Sequence, residues 1–310
     1  MPELPEVEVV RAGLASAVTG ARIEGVEVFD ERSIARHDGD AAAFEAALLG
    51  RSFGVPARRG KFLWIPLEPE QGELTTDALL TPGADRALLA HLGMSGQVLV
   101  REPGAAADRH TRIRLLIDQP QHGALEIRFA DQRLFGGLAV RPLVVGEGGG
   151  AVPDQAAHIA LDPLEPGFDA SAVARRLRLR RQGVKAALLD QQLVSGIGNI
   201  YADEALWRSR LHYATPGQRL TQARATALLA DVRDVLERAL AEGGTSFDAQ
   251  YVNVNGQSGY FEHSLNAYGR GGQPCRRCGA TMVREAWMNR GSTRCPRCQR
   301  RPRGLAAGLA

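Results

Sequence analysis

The most reactive combination of groups in this 310-residue chain lies in its first six residues, Met-Pro-Glu-Leu-Pro-Glu. If Met1 is removed, as we expect before a small residue such as proline, Pro2 has a free secondary amine. Such amines titrate near pH ~8, so a useful fraction is neutral and able to form a Schiff base at neutral pH. Glu3 and, one helical turn later, Glu6 supply carboxylates for acid–base chemistry. The same residues also suit an ordinary helix start, where Pro and Glu are favoured.

All four cysteines fall in one motif near the C-terminus, with the spacing Cys-x2-Cys-x16-Cys-x2-Cys. This spacing is typical of a tetrahedral structural zinc site, with two disulfides as the alternative that a reducing compartment disfavours. Four thiolates would fill the coordination shell, so the ion would brace a small β-hairpin and would not activate water. The predicted ligands are Cys275, Cys278, Cys295 and Cys298.

The basic residues are unevenly distributed along the chain. Residues 270–310 contain ten arginines and one acid, Glu285, so this segment has a charge of +9 and the remainder −6, against a net charge of +3. A concentrated basic segment suggests a polyanion partner, with nucleic acid first, although a solvated basic tail is the alternative. Only Lys61 and Lys185 are lysines, which suggests amines that must lose a proton or act as compact charges, unless both arose by chance.

Two glycine-flanked loops place apolar side chains where a core residue is not expected. Met94 lies in His-Leu-Gly-Met-Ser-Gly, and Arg133 and Phe135 lie in Arg-Leu-Phe-Gly-Gly. Exposed Met and Phe side chains can wedge between stacked bases, and Arg can enter a groove. The alternative is a pair of hairpin turns whose apolar residues fold back onto a sheet.

The elements that must position these residues change in type along the chain. Val7, Val10, Leu14 and Val18 recur at helical spacing and predict one buried helix face. From residue 21 to 143, short alternating runs separated by Gly, Pro and Asp predict a β-sandwich or barrel, with a second helix over 41–49. The clearest predicted strands are 22–29, 62–67, 97–101, 111–117, 124–129 and 138–140.

The second half of the chain is predicted to be mainly helical after a Gly-rich linker, 144–154. Candidate helices cover residues 171–181, 184–193, 200–209 and 221–242. Ser-Gly-Ile-Gly-Asn, ending at Asn199, is a two-glycine turn before a helix, where backbone N–H groups can hold a phosphate. Positive charge nearby comes from Arg175, Arg176, Arg178, Arg180, Arg181 and Lys185.

Together these pieces resemble the formamidopyrimidine-DNA glycosylase family (Fpg, or MutM) of bacterial base-excision repair, from Met1 to about Arg301. The resemblance rests on the joint order of several motifs. These are the N-terminal Pro-Glu-Leu-Pro-Glu, Arg-Gly-Lys61 before a strand, His-Leu-Gly-Met-Ser-Gly, Gly-Ile-Gly-Asn-Ile-Tyr-Ala-Asp-Glu-Ala-Leu, Gly259-Tyr260-Phe261, Tyr268-Gly269-Arg270 and the four-cysteine finger.

The resemblance implies an α+β fold of two domains with DNA in the cleft between them. The first is an N-terminal β-sandwich with flanking helices, and the second is helical, with a helix–two-turn–helix motif and a four-cysteine zinc-finger β-hairpin. The expected boundaries are 1–143 for the catalytic sandwich and 144–154 for the linker. They continue with 155–268 for the helical domain and its lesion-recognition loop, 269–303 for the zinc finger, and 304–310 for a disordered tail.

The resemblance also implies a bifunctional enzyme that removes oxidised purines, chiefly 8-oxoguanine opposite cytosine and formamidopyrimidines, and then cuts the strand on both sides. Pro2 matches the nucleophile, Glu3 the acid that protonates the sugar ring oxygen, and Glu6 its supporting carboxylate. Lys61 matches the lysine that binds phosphate and assists proton transfer, and Arg290 the donor for δ-elimination.

Further matches concern DNA binding. Met94, Arg133 and Phe135 match residues that fill the gap left by the flipped base and touch the orphaned cytosine. Asn199, with Arg290, matches the phosphate clamps beside the lesion. The remaining matches are looser: His110 and Arg180 as further DNA contacts, and Lys185 as the lysine before the helical turn motif.

The chain departs from the family pattern at three places. Leu134 replaces the second arginine of Asp-Pro-Arg-Arg-Phe-Gly, so duplex grip and opposite-base preference are open. Arg109-His110-Thr111-Arg112 replaces Lys-His-Asp-His, which weakens the match of His110. The flipped-base loop near 245–258 matches only loosely, which leaves the lesion range open.

Two other functions compete with the bifunctional enzyme. One is a non-catalytic lesion binder, against which Pro2, Glu3, Lys61 and Arg290 argue. The other is the endonuclease VIII class, which prefers oxidised pyrimidines and usually has Gly where this chain has Leu4. No apolar run of about 18 residues and no basic-then-apolar leader are found, so we expect a cytoplasmic, nucleoid-associated monomer bound to damaged double-stranded DNA.

Overall fold

A computed structural model of the protein describes residues 2–68, 84–106, 108–245, 254 and 261–304. The chain forms two compact units. Unit 1 comprises Met1–His158 with Gly243–Gly259, and unit 2 comprises Ile159–Glu242 with Tyr260–Ala310. No helix within the described ranges is long and apolar enough to cross a membrane. Most of the predicted lesion loop and residues 305–310 of the predicted tail lie outside the described residues.

Unit 1 begins with helix α1, Leu4–Val18, whose buried face contains Val7, Val10, Leu14 and Val18 as the spacing predicts. The second helix, α2, covers Ala41–Leu48. Asp40 caps it, because its Oδ1 accepts a hydrogen bond of 2.9 Å from the N–H of Ala43.

Among the described residues of unit 1, ten strands form one antiparallel sheet, in the order β10-β9-β5-β4-β2-β1-β7-β8-β6, with β3 paired to β4 beside this path. The predicted strands are all present, and β9 extends well beyond its predicted end. The bounds are β1 Arg22–Val28, β2 Ser52–Phe53, β3 Ala57–Arg59, β4 Phe62–Glu68, β5 Arg86–His91, β6 Gly96–Arg101, β7 Thr111–Gln119, β8 Gly123–Asp131, β9 Gly137–Val145 and β10 Ala151–Pro153.

The connections require this sheet to fold over on itself. Strands β5 and β6 are third and ninth in the order, so in a flat sheet they would lie about 29 Å apart at about 4.8 Å per step. Residues 92–95 alone join them, and five extended Cα steps span at most about 18 Å. Residues 132–136 join β8 to β9 across the same distance in the order. The fold is therefore sandwich-like, and its core includes Leu14, Phe44, Phe53 and Phe129.

The predicted linker, residues 144–154, is partly regular structure within unit 1. Its first residues complete β9, and its last ones form β10, which pairs antiparallel with β9 through Ala151 and Val145. The glycine-rich stretch between them is therefore the turn that joins two paired strands.

The described part of unit 2 contains four α-helices and a hairpin: α3 Ala170–Arg178, α4 Val184–Leu189, α5 Asn199–Arg208, α6 Gln222–Ala241, and strands β11 Val283–Trp287 and β12 Arg290–Arg294. Helix α6 packs against α3 and α5 and buries Leu228, Leu229 and Leu236. Helix α4 ends four residues before its predicted end, because Asp190 has extended backbone angles and its Oδ1 accepts a hydrogen bond of 3.0 Å from Gln192 N–H.

Candidate functional site

The N-terminus of α1 is a buried cluster of the residues predicted to do chemistry. Pro2 is buried, and Glu3 and Glu6 are only 2% and 7% exposed. Glu3 and Glu6 form a reciprocal capping box, in which Glu6 Oε2 accepts a hydrogen bond of 2.9 Å from Glu3 N–H. Glu6 Oε1 accepts bonds of 2.8 Å from both the N–H and the hydroxyl of Thr245. The Glu6 carboxylate thus holds the backbone on which Pro2 and Glu3 are presented.

Lys61 lies in the tight turn between β3 and β4, next to Gly60, whose φ of +54° favours glycine. The strand before this turn is fastened to α1 by an ion pair of 2.9 Å between Arg58 Nε and Glu8 Oε2. Glu8 also pairs with Arg11 at 2.7 Å. These ion pairs therefore connect the helix that presents Pro2 to the strand that leads into the Lys61 turn.

Strand register brings Lys61 and the two predicted loops to the same end of the sheet. Phe62 on β4 pairs with His91 on β5, and His91 pairs with Gly137 on β9. Lys61, the loop of residues 92–95 and the loop of residues 132–136 adjoin these three paired positions. Their proximity follows from register, which a linear sequence does not display.

Asp131 organises both loops, and the sequence analysis did not identify it as functional. Its side chain is fully buried; Oδ1 accepts hydrogen bonds of 2.5 Å from Ser95 Oγ and 3.0 Å from Arg133 N–H. Its Oδ2 accepts a bond of 2.8 Å from Gly136 N–H. One carboxylate therefore fixes the loop that contains Met94 and the loop that contains Arg133 and Phe135. The sequence does contain one signal for this role, because Asp131 is an acidic residue at the end of a predicted strand, directly before the second loop.

The apolar tips of these loops are exposed, so the alternative of turns folded back onto the sheet is wrong for both. Met94 is 40% exposed and Phe135 is 49% exposed. The Arg133 guanidinium lies 4.9 Å from the centroid of the Phe135 ring, a cation–π contact. Leu134, between them, has φ +55°, an uncommon angle for a branched side chain.

His91 is a second residue of the site that the sequence analysis did not single out. Its Nδ1 accepts a hydrogen bond of 3.1 Å from Gly93 N–H, and its ring packs edge-on against Phe62. Burial, and then the positive charges of Arg36 and Lys61, lower the pKa of His91 to about 4. A neutral His91 therefore braces the Met94 loop at neutral pH and does not add positive charge to it.

In unit 2, Asn199 and Arg290 line one polar concavity of about 480 Å³ together with Tyr268 and Arg284. Asn199 is the first residue of α5, and its Nδ2 donates a hydrogen bond of 3.1 Å to Gly291 O on β12. Among the described residues, the buried Oδ1 of Asn199 has no hydrogen-bond partner. The geometry joins the helix start and the finger hairpin at one surface, as the predicted phosphate clamp requires.

Lys185 does not occupy the exposed position that a direct DNA contact requires, which corrects the sequence-based expectation. Its side chain is fully buried, and its Nζ forms an ion pair of 2.6 Å with Asp203 Oδ1. Nζ also lies 5.2 Å from the centroid of the Trp287 ring. Lys185 stands out in the sequence as one of two lysines. Its partner Asp203 is 18 residues away in sequence, so the ion pair becomes apparent only in the folded structure.

Asp203 and Glu204, neighbours on α5, tie this helix to β12 and to the segment of residues 266–268. Asp203 accepts hydrogen bonds of 2.9 Å from Thr293 N–H and 3.0 Å from Ser292 Oγ on β12. Burial raises the pKa of Asp203, opposed by Lys185 and these hydrogen bonds. Glu204 accepts bonds from the backbone N–H groups of residues 266, 267 and 268, and burial raises its pKa as well. Asp203 and Glu204 thus position the segments that contain Arg290 and Tyr268.

The two remaining predicted DNA contacts, His110 and Arg180, lie outside the clusters described above. His110 lines a shallow concavity of about 380 Å³ in unit 1 with Arg109, Ser95 and Gln132. Arg180 is partly exposed and forms an ion pair of 3.0 Å with Asp190.

The four cysteines form a metal-binding arrangement. Their Sγ atoms all lie within 4.8 Å of one another, and those of Cys278 and Cys295 are 3.5 Å apart. A tetrahedral ion with metal–sulfur bonds of about 2.3 Å needs sulfur–sulfur edges of about 3.8 Å. Outside this shell, Trp207 Nε1 donates a hydrogen bond of 3.4 Å to Cys275 Sγ. The donor set fits a closed tetrahedral site at the base of the hairpin.

Comparisons with known proteins agree with this architecture. The model of the formamidopyrimidine-DNA glycosylase N-terminal domain matches residues 1–138, and that of its H2TH domain matches residues 159–250. Formamidopyrimidine-DNA glycosylase of Leifsonia xyli subsp. xyli is 58% identical over 309 residues, which cover 97% of this chain and 100% of the relative. The corresponding protein of Nocardioides sp. is 54% identical over 303 residues, covering 98% of this chain and 96% of that protein.

Solved structures show the same fold. Lactococcus lactis Fpg in complex with DNA containing an abasic site matches with a TM-score of 0.78 and 26% identity, over 96% of this chain and 100% of that chain. MutM in complex with DNA containing carbocyclic 8-oxo-G matches with a TM-score of 0.78 and 27% identity, over 97% of this chain and 100% of that chain.

The folded-over N-terminal sheet, the H2TH helices and the four-cysteine hairpin together define a DNA glycosylase of base excision repair, a class whose partner is DNA. Within that class, this chain belongs to the formamidopyrimidine-DNA glycosylase family, whose members combine glycosylase and AP lyase activities. The resemblance found in the sequence is thereby confirmed.

Proposed function

We propose that this enzyme excises oxidised purines, chiefly 8-oxoguanine opposite cytosine and formamidopyrimidines, from duplex DNA and then cleaves the abasic strand by β- and δ-elimination. The single observation on which this proposal rests is the buried Pro2–Glu3 pair that Glu6 holds at the start of α1. The names of the relatives and the Fapy-dG complex of a Lactococcus lactis FPG mutant support the substrate class.

The chemistry begins once the damaged nucleotide is extruded from the stack, as glycosylases require. The lone pair of the Pro2 amine forms a bond to C1′, and the glycosidic electron pair leaves with the base, which takes up a proton. Glu3 donates a proton to the sugar ring oxygen as the C1′–O4′ bond breaks, which leaves an iminium between Pro2 and the open sugar.

The iminium makes the C2′ proton acidic and so permits strand cleavage. Removal of that proton forms a C2′–C3′ double bond as the 3′ phosphate leaves, and loss of a C4′ proton then expels the 5′ phosphate. Lys61 binds phosphate and assists proton transfer, and Arg290 donates the proton in δ-elimination. Water finally hydrolyses the bond between Pro2 and the sugar remnant.

Recognition is divided among the other predicted residues. Exposed Met94 and Phe135 fill the space left by the extruded nucleotide, and Arg133 contacts the unpaired cytosine. Asn199 contributes with Arg290 to a phosphate clamp at the start of α5. His110 and Arg180 add further backbone contacts, so affinity should fall as salt rises.

We further propose zinc as the ion held by Cys275, Cys278, Cys295 and Cys298. Four thiolates in a closed tetrahedral set suit Zn²⁺, which such a site holds for its structural effect. The ion would brace the hairpin that presents Arg290. We also propose a monomer that works at the nucleoid, with the catalytic region within residues 1–143, the helix–two-turn–helix region within residues 155–268 and the zinc finger at residues 269–303.

Borohydride trapping on an 8-oxoguanine duplex tests the central proposal. The wild-type chain should give a covalent protein–DNA adduct that maps to Pro2, and Pro2→Gly should slow turnover far more than it weakens binding. A reduced adduct on another residue, or full activity with Met1 retained, would refute the proposed nucleophile. Absence of any adduct would favour the non-catalytic lesion binder.

A panel of duplexes tests the substrate class separately. Incision of 8-oxoguanine opposite cytosine should exceed incision of thymine glycol, since the chain retains Met94 and Phe135. The reverse order would assign the enzyme to the endonuclease VIII class while leaving the role of Pro2 intact.

A further inference from the structure

Four arginines surround a concavity of about 590 Å³ at the cysteine end of the finger. The lining consists of Arg210, Arg277, Arg297 and Arg300 with Cys278 and Cys298. We call these four arginines the knuckle cluster. No carboxylate lines the concavity within the described part of the chain, so four like charges converge without a counterion there.

One member of the knuckle cluster is fixed by the fold. The Arg277 guanidinium lies 4.0 Å from the centroid of the Trp207 ring. Its Nη1 donates a hydrogen bond of 2.9 Å to Trp207 O, and its Nη2 donates one of 3.3 Å to Arg208 O. Arg277 thus covers the face of the Trp207 indole and places a fixed positive charge in the lining of the concavity.

The guanidinium groups of the other three arginines have donors that no described residue accepts from. Arg210, Arg297 and Arg300 are exposed, and their side chains make no hydrogen bond or ion pair with any residue that the structure describes. Asp231, which accepts a hydrogen bond from the Ser209 hydroxyl next to Arg210, pairs with Arg208 at 2.9 Å, and Glu285 pairs with Arg294 at 2.7 Å. The cluster therefore has hydrogen-bond donors available for an external anion.

Arg210 occupies a backbone position that normally favours glycine. It follows the C-terminus of α5 with φ +54°. The N–H of Leu211 bonds to Leu206 O at 3.0 Å and that of Arg210 to Trp207 O at 3.2 Å, the pattern of a Schellman motif. Glycine would adopt this conformation without the strain of a β-carbon. The chain thus has a positively charged arginine at position 210 although the backbone conformation there favours glycine.

We propose that the knuckle cluster binds the phosphodiester backbone of DNA at a second contact, separate from the concavity of Asn199 and Arg290. Arginine presents planar donors that suit phosphate oxygens. Among the residues that the structure describes, the lining offers no exposed aromatic or aliphatic anchor of the kind on which protein interfaces depend, since Arg277 covers Trp207.

The second contact is distinct in place as well as in composition. Strand β12 runs from Arg290 to Arg294 before Cys295 begins the cysteine knuckle, and four strand steps span about 13 Å. DNA bound at Arg290 would therefore need to extend along the finger to reach the cluster. The inference rests on the DNA partner of the family and not on the proposed chemistry at Pro2.

The salt dependence of DNA affinity tests this inference. Each arginine that neutralises a phosphate contributes about 0.9 to the slope of log affinity against log salt. On a long duplex containing an abasic-site analogue, Arg297→Ala combined with Arg300→Ala should lower the slope by about 1.8. The single-turnover rate at saturating DNA should remain that of the wild type, because the reacting residues are untouched.

Arg210→Gly is the decisive variant, because it removes a cation while relieving backbone strain. It should retain or raise the melting temperature and still lower the slope by about 0.9. Arg224→Ala, an exposed arginine on α6 outside the cluster, removes the same charge and should leave the slope unchanged.

Two outcomes would overturn the proposal. Slopes for the cluster variants equal to that of Arg224→Ala would show that the cluster does not touch DNA. Capture of a poly-glutamate peptide by the wild type but not by Arg210→Gly, with the DNA slope unchanged, would assign the cluster to an acidic protein partner. A loss of borohydride trapping in the wild type would instead count against the proposed function alone.

Discussion

At the scale of single residues, the site depends on carboxylates that never touch DNA in the proposed chemistry. Asp131 accepts hydrogen bonds from the loop of residues 92–95 and from the loop of residues 132–136. Glu6 accepts hydrogen bonds from Glu3 and Thr245. Each satisfies several buried backbone or hydroxyl donors that would otherwise lack an acceptor. The identity of these residues matters because an amide of similar shape has one acceptor oxygen and not two.

Asp131→Asn tests this dependence. At least one of the two loops should lose an acceptor, at a cost of about 1–3 kcal/mol in the free energy of unfolding, and single-turnover excision should slow. Thermal unfolding and single-turnover assays measure the two effects. Asp118→Asn, at an exposed position on β7, is the matched control. Equal behaviour of the two variants would contradict the organising role of Asp131.

His91 predicts a pH dependence of stability. Its folded pKa of about 4 lies below the ordinary value of 6.5, so the unfolded chain binds more protons between these values. Stability should therefore be full above pH 6.5 and fall as the pH drops towards 4, by about 2 kcal/mol at pH 5. His91→Asn, which keeps an acceptor for Gly93, should flatten the melting temperature across this window.

The control for His91 is His122→Asn, at an exposed position, which should leave the pH profile as in the wild type. His212, whose pKa burial also lowers to about 4, should supply the acid sensitivity that remains in His91→Asn. If the melting temperature of His91→Asn depended on pH as that of the wild type does, His91 would not be the group that governs stability between pH 4 and 6.5.

At the scale of elements, the two loops are held in contact by glycine. A β-carbon on Gly93 would lie 2.4 Å from Gly136 N and from Phe135 C, at φ +59°. Gly93→Ala should therefore push the loops apart and reduce excision more than overall DNA affinity. Gly104→Ala is the control, since Gly104 has φ +78° but no atom within 4 Å of such a carbon. Equal loss of excision would attribute the effect to backbone strain alone.

The buried ion pair between Lys185 and Asp203 joins α4, α5 and β12. Removing one partner leaves a buried charge uncompensated, so Asp203→Asn should destabilise the protein by about 3–5 kcal/mol. Lys185→Met combined with Asp203→Leu should recover part of that loss in thermal unfolding, because no isolated charge remains. Similar melting temperatures for Asp203→Asn and the wild type would contradict a structural role for the pair.

At the scale of the whole molecule, charge is segregated: residues 270–310 have a charge of +9 and the rest −6. The four thiolates of the finger that concentrates this charge are the ligands of the proposed zinc ion. Chelation of the metal, or Cys295→Ser, should therefore lower DNA affinity through loss of the hairpin. Fluorescence anisotropy with and without chelator measures the change. Unchanged affinity after verified metal removal would show that the hairpin persists without an ion.

Much of this enzyme could be predicted where the relevant interactions are local. Helix α1 begins and faces the core as its spacing indicates, and the cysteine motif closes into one cluster. The exposed Met94 and Phe135 follow from glycine-flanked loops. The early end of α4 could not be predicted, because the turn made by Asp190 competes with an apolar helical pattern.

Sequence alone determined the chemical groups, the helix starts, the metal ligands and the family, because each depends on residue type and short spacing. Tertiary structure decided which remote residues meet. Strand register brought Lys61 to the Met94 loop, folding of the sheet joined Ser95 to Asp131, and burial turned Lys185 from a predicted DNA contact into an internal brace. These outcomes depend on contacts between residues distant in the chain, and the energy of such contacts is defined only when the core has packed.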